Sequence, residues 1–260
     1  RPGQGTEVQH LDARDVVDPF TAGALRGGSH VHVFDDKGEW VSFTYEDHVL
    51  AMNPTGGQSN QRNVGVSIPG RRVTVPKNHR RNHDGECFSV VVTQTLDNPE
   101  IGTDQICKAY EDAWIGWDRR DQPVGKRQGR ALAFIGDVVV ADSSSSDATR
   151  PNSSRKQTKS VPELFVVELP ENCMVAGSEP LQGTAISRPA PPAGTVQRRL
   201  TRTTDRAYPG LATDVRHWPR SKPDGSEIVF LMRDDNGVIQ IWSISPNGGL
   251  PRQVSFVSES

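Results

Sequence analysis

Two histidines, His30 and His32, stand one residue apart in the run "SHVHVF", which alternates as a β-strand does. Side chains two apart on a strand share a face, so the spacing predicts both imidazoles aimed the same way. Neutral imidazole is a common ligand for borderline divalent ions, and such a pair suits Mn, Zn, Fe or Ni once another segment adds a donor. A second stretch, "RRVTVPKNHRRNHDG", gathers Arg71, Arg72, Lys77, Arg80 and Arg81 with His79 and His83. Guanidinium forks of this kind match carboxylate and phosphate groups, so the run predicts a substrate-binding rim for an acidic ligand such as a uronate or a phosphorylated sugar. Lys77, near a metal or cationic neighbours, is the candidate base for proton abstraction.

The elements that must carry these groups are read from a repeat. The frame Gly-x-x-apolar-x-apolar occurs as "GEWVSF" from Gly38, "GECFSV" from Gly85, "GRALAF" from Gly129 and "GSEIVF" from Gly225, with gaps of 47, 44 and 96 residues. The first two gaps match the ~40–50 residues of a four-stranded propeller blade. The third is about double, and it spans two expected surface insertions, residues 142–160 and 176–198. The last copy reads as a whole meander. Strands "LATDVRHW", "SEIVFLMR", "VIQIWSIS" and "PRQVS" are separated by the turns "KPDG", "DDNG" and "PNGG". The first copy follows with "SHVHVF", "EWVSFTY" and "HVLAM" as its strands. One segment departs: Ile106, Tyr110, Ala113 and Trp114 recur at helical spacing and predict a short helix near 104–116. The fold class expected is all-β, one propeller domain over 1–260 with about four blades.

In a propeller the first strand of each blade lines the central channel. Counting eight and six residues back from each frame glycine gives His30 and His32, Lys77 and His79, Asp121 and Pro123, and His217 and Pro219. The register therefore predicts that His30, His32, His79 and His217 ring one axis and hold a metal. His48 falls on the expected third strand, farther out, and His83 at a turn.

Composition excludes several classes. The net charge of −2 implies no general attraction to nucleic acid or anionic membrane. No apolar run approaches the ~18 residues of a membrane-spanning segment. The three cysteines, Cys87, Cys107 and Cys173, lack metal-site or disulfide spacing. "GGSH" opens no helix and is not a phosphate loop, and no Gly-x-Ser-x-Gly elbow occurs. The chain opens on Arg1 and is expected to be part of a longer bacterial protein, periplasmic or cytoplasmic.

"KPDGSEIVFLMRDDNGVIQIWSISPNGGLPRQVS" resembles the blade repeat of TolB-type β-propellers. That resemblance implies six blades in the complete ring, closed by sequence outside this chain. "GGSHVHVFDDKGEWVSFTYEDHVL" with "VTVPKNHRRNHDGECFSVVV" resembles a bacterial family of TolB-like proteins, the YidR type, which brings no established activity. A more distant resemblance links the His30–His32 pair to oligogalacturonate lyases. They share the propeller and hold a metal through a His-x-His pair, a glutamine three residues upstream and a further histidine. Such a metal neutralises a uronate carboxylate while a base takes the α-proton before β-elimination. Here the glutamine position is Gly27. Two functions are thus expected: a metal-dependent, lyase-like enzyme acting on an acidic saccharide, or a non-catalytic propeller binding a protein or peptide partner in the cell envelope.

Overall fold

The computed structural model describes residues 9–116, 129–142 and 158–258. Two compact units form: Arg1–Thr93 with Leu169–Thr195, and Gln94–Glu168 with Val196–Ser260. The chain is all-β, and its larger sheets among the described residues are four-stranded antiparallel meanders laid out in sequence order.

In the first unit a short parallel pair, β1 (Ala13–Arg14) and β2 (Ala24–Leu25), precedes the meander. The meander runs β3 (Gly28–Phe34), β4 (Val41–Glu46), β5 (Asn63–Val73) and β6 (Gly85–Val91). A five-residue helix, α1 (His48–Met52), joins β4 to β5. It occupies "HVLAM", which the sequence pattern assigns to a strand. Asp47 decides the matter: its carboxylate accepts from Leu50 N at 3.0 Å and caps the first turn. The β3–β4 turn depends on Gly38, whose φ of +65° other residues rarely adopt. Phe43 and Tyr45 of β4 are buried with Leu25 and Val91.

In the second unit one meander consists of β7 (Ile106–Trp114), β8 (Ala131–Ala141), β9 (Thr158–Glu168) and β10 (Val196–Arg199). The other consists of β11 (Arg220–Ser221), β12 (Ile228–Arg233), β13 (Ile239–Ile244) and β14 (Arg252–Gln253). Ile228, Phe230 and Met232 alternate inward along β12 and pack with Ile135, Leu164 and Val166. Each such side chain contributes roughly 1.5–3 kcal/mol by leaving water.

Three expectations change here. The segment near 104–116 is a strand, not a helix. Its pairing with β8 slips twice, between Ile106 and Ala109 and between Tyr110 and Ala113, and Glu111 takes φ +53°. Each slip adds a residue and breaks the two-residue period, so the buried apolar positions 106, 109, 110 and 113 imitate a helical face. Second, the Gly85 frame does not open a new sheet. It is β6, the last strand of the meander whose second strand follows Gly38. Only the frames at Gly38, Gly129 and Gly225 precede second strands, so three four-stranded sheets, not four, stand among the described residues. Third, "LATDVRHW" is not the first strand of the last meander; that strand is the two-residue β11, with His217 in the segment before it. Of the expected insertions, residues 143–157 lie outside the described residues, and Leu169–Thr195 belongs with the first unit.

Candidate anion-binding face

β3 forms an edge of its sheet and is half-open along its length. His30 pairs with Thr44 and Val33 with Ser42, so Val31 and His32 together oppose Phe43. Val31 takes φ +57° to make this bulge. The bulge removes the alternation on which the shared-face expectation rests. His30 stands on the Thr44 face. The His32 ring centroid lies 6.1 Å from that of Phe43, on the other face, with its Nε2 3.2 Å from Ser29 Oγ.

The other expected metal ligands are placed differently again. His79 lies in the β5–β6 connection, not on a first strand, and its Nδ1 accepts from Arg81 N at 3.1 Å. His217, in the second unit, commits both ring nitrogens. Nδ1–H donates to Val215 O (3.0 Å), which leaves Nε2 to accept from Leu231 N (3.3 Å). Gly27, the position of the lyase glutamine, admits no side chain. A Cβ there would sit 1.9 Å from Glu46 O and 2.7 Å from His48 N. Among the described residues no three His, Cys, Asp or Glu side chains gather as a metal-holding group. Gly27 cannot supply the glutamine donor that the lyase resemblance implies. Asp121 and Pro123, the remaining register positions, lie outside the described residues.

The basic rim is divided by its own acids. Lys77 forms an ion pair with Asp84, and Arg72 faces Glu86 at 3.5 Å and Asp84 at 4.0 Å. The hydrogen bond from Lys77 holds the Asp84 carboxyl below its ordinary range. Lys77 thus stands on the loop as the partner of Asp84. Arg71 and Arg80 are exposed and make no ion pair among the described residues.

Arg81 has a different role. Its Nη1 donates to Nε2 of His48, 2.7 Å away, while its backbone N–H holds His79. His48 therefore accepts as a neutral imidazole protonated on Nδ1. The connection carrying Arg81 is fixed from beneath by Asn82, which is buried. Asn82 Nδ2 donates to Asp15 Oδ1 (2.9 Å), Pro76 O (2.9 Å) and Asn78 Oδ1 (3.0 Å), and its Oδ1 accepts from Val16 N (3.0 Å). Arg14 of β1 and His83 exchange backbone hydrogen bonds of 2.9 and 3.1 Å. The His83 ring stacks on His10 with centroids 3.8 Å apart.

One cation links these pairs. The Arg14 guanidinium charge acts on both His48 and His83. Its Nε is buried without a hydrogen-bond partner, and it makes no ion pair among the described residues. Burial, followed by the charges of Arg81, Arg14 and His79, lowers the His48 pKa against an opposing pull from Asp47. Burial lowers that of His83 too, with His10 and Arg14 adding to it and Asp84 O and Asp12 opposing. The nearby carboxylates are otherwise occupied: Asp47 by Arg26, and Asp12 by the hydroxyl of Ser29. The face thus presents guanidinium groups and imidazoles held on a braced loop, an arrangement suited to an oxyanion.

Sequence reading missed His48, Arg14 and His10 as partners in this face. Asp47 before "HVLAM" is the local signal that would have placed His48 on a helix. The approach of residues 10–14 to residues 81–83 has no local signal.

Comparison with known proteins adds the lineage. Residues 1–83 match a family model described as Protein of unknown function (DUF3748). Over 255 residues, 97% of this chain, the sequence is 48% identical to the Uncharacterized protein YidR of Escherichia coli (strain K12). The chain is similar to YidR over almost its whole length. It spans about half of YidR's length, 54%. No solved structure matches. The likeness to YidR supports the YidR-type family and attaches no activity to the candidate face.

Proposed function

We propose that the chain is part of a TolB-like β-propeller that works as a binding module for a protein or peptide partner, not as a metal-dependent lyase. The consecutive four-stranded meanders support the propeller reading, because a blade is such a meander and successive blades follow chain order. The observation that carries the choice of a binder is the 1.9 Å approach of Glu46 O to a Cβ at Gly27. The lyase donor set requires a glutamine where the backbone leaves no space. The bulge at Val31 and the commitments of His217 act in the same direction. Arg71 and Arg80, exposed and without ion pairs among the described residues, favour a partner with an acidic surface.

Elemental analysis of the purified full-length protein tests this reading. The expected result is no stoichiometric transition metal, and no rise in the ultraviolet absorbance of unsaturated uronates on incubation with oligogalacturonate. A partner complex should weaken with salt and on Arg71→Ala with Arg80→Ala. A stoichiometric metal lost in His30→Ala with His32→Ala would overturn the reading.

A further inference from the structure

We propose that His48, Arg81, His79 and Arg14, with the stacked His10–His83 pair beside them, form a binding site for a dianionic tetrahedral oxyanion, the phosphate monoester group of a small soluble ligand. The site goes beyond the binding-module reading and does not rest on it. Three features carry it.

The first is the donor set. Among the described residues Arg81 and Arg14, like Arg71 and Arg80, have no carboxylate partner, whereas Arg26, Arg62, Arg72, Arg198, Arg199 and Arg233 each face one. The Arg14 Nε is buried without a hydrogen-bond partner, an uncompensated cationic group whose charge a neighbouring anion would offset. The second is rigidity. Asn82, buried and making four hydrogen bonds, fixes the loop that carries His79 and Arg81, so little ordering cost attends binding. The third is the state of the imidazoles. His48 and His79 both accept hydrogen bonds from Arg81, so each is neutral in the free protein. An arriving dianion offsets the repulsion from Arg81 and Arg14 and draws the Arg81 guanidinium off His48 Nε2, which allows that nitrogen to take a second proton. His83, facing His10, Arg14, Asp12 and Asp84, responds in the same sense. Arginine forks with several imidazole donors offer more hydrogen bonds than a carboxylate can accept, which selects a phosphate-like group.

Proton uptake fixes the sign of the pH dependence. Imidazoles whose pKa is lowered in the free protein and raised in the complex make binding tighter as pH falls from neutrality. Sulfate is the suitable probe, because its own charge stays constant over this range. Calorimetric titration of the full chain with sulfate at low ionic strength should show saturable binding, tighter at pH 6 than at pH 7.5, with net proton uptake revealed by changing the buffer. Inorganic phosphate should compete. Arg81→Gln and His48→Asn, both at solvent-accessible positions, should each weaken sulfate binding by about tenfold, equivalent to ~1.4 kcal/mol. Arg252→Gln removes an equal charge in the second unit and should leave binding unchanged. Three results would overturn the site: no saturable sulfate binding, equal weakening by Arg252→Gln, or galacturonate binding as tightly as sulfate. Metal analysis and sulfate titration fail separately, so loss of one proposal leaves the other standing.

Discussion

Asp47→Ala should lower the unfolding free energy of the chain by about 3–5 kcal/mol, the cost of leaving a buried cation without its partner. The side chains of Arg26 and Asp47 are 0% and 1% exposed. Asp47 accepts from Arg26 Nε at 2.9 Å, from Tyr45 OH at 3.1 Å and from Leu50 N at 3.0 Å, while its own N–H donates to Asn60 Oδ1 at 2.7 Å. Burial and the adjacent carboxylate push the Tyr45 hydroxyl well above its ordinary pKa, so it remains a donor. Arg26 continues the network to Thr184 O and to Ser187 O (2.9 Å), tying residues 169–195 to the first meander. Alanine removes all the carboxylate contacts together. Urea unfolding measures the loss, and limited proteolysis should show faster cleavage near 184–187. A loss below about 1 kcal/mol, the range of exposed ion pairs, would contradict this account of the network.

In the second unit Glu163→Ala should cost a similar amount, about 3–5 kcal/mol. Glu163 is fully buried. Its Oε1 accepts from Arg199 Nη2 (2.8 Å), Thr203 N (2.7 Å) and Thr203 Oγ1 (2.9 Å), and its Oε2 accepts from Thr201 Oγ1. Arg199 keeps only a bond from Nε to Thr201 O (2.7 Å) and a 3.9 Å approach to Asp104. Glu163→Gln retains the acceptor for Thr203 N and Arg199 but loses the charge and the oxygen that accepts from Thr201 Oγ1, so it should cost less than alanine, ~1.5–3 kcal/mol. The same unfolding measurement separates the two variants; equal losses would mean that the hydrogen bonds retained by glutamine contribute nothing, and no loss in Glu163→Gln would mean that the charge contributes nothing.

The sequence made the turns and second strands legible because both are local. "KPDG" needs a residue that tolerates positive φ, and Gly225 takes φ +72° with its N–H bonded to Lys222 O at 2.9 Å. "SEIVFLMR" alternates, and β12 buries every second residue. What local pattern does not encode is pairing register. The bulges in β3 and β7 depend on the strands opposite, and each disguised its segment: one as a same-face histidine pair, the other as a helix. The Gly85 frame failed for a related reason. A glycine followed by alternating apolar residues marks any strand after a turn, second or fourth, and only the sheet distinguishes them. That error carried Lys77 and His79 to a first strand when they lie on a loop.

The candidate site was half legible. Arg81, His79 and His83 share one basic run whose affinity for an acidic ligand follows from composition. Arg14 and His10 reach it only through the pairing of β1 with the loop before β6, about seventy residues away in sequence. Side-chain spacing alone did not show the backbone approach at Gly27 or the positive φ at Val31 that separates the faces of His30 and His32.

The most direct measurement is the ring nitrogen NMR of the histidines in the full chain during a Mn²⁺ titration. The structure requires His217 to be a fixed neutral tautomer with Nδ1 protonated, and predicts that stoichiometric Mn²⁺ leaves the His30, His32 and His217 signals sharp. Selective broadening of those three together at one equivalent would place a metal among them and contradict the account.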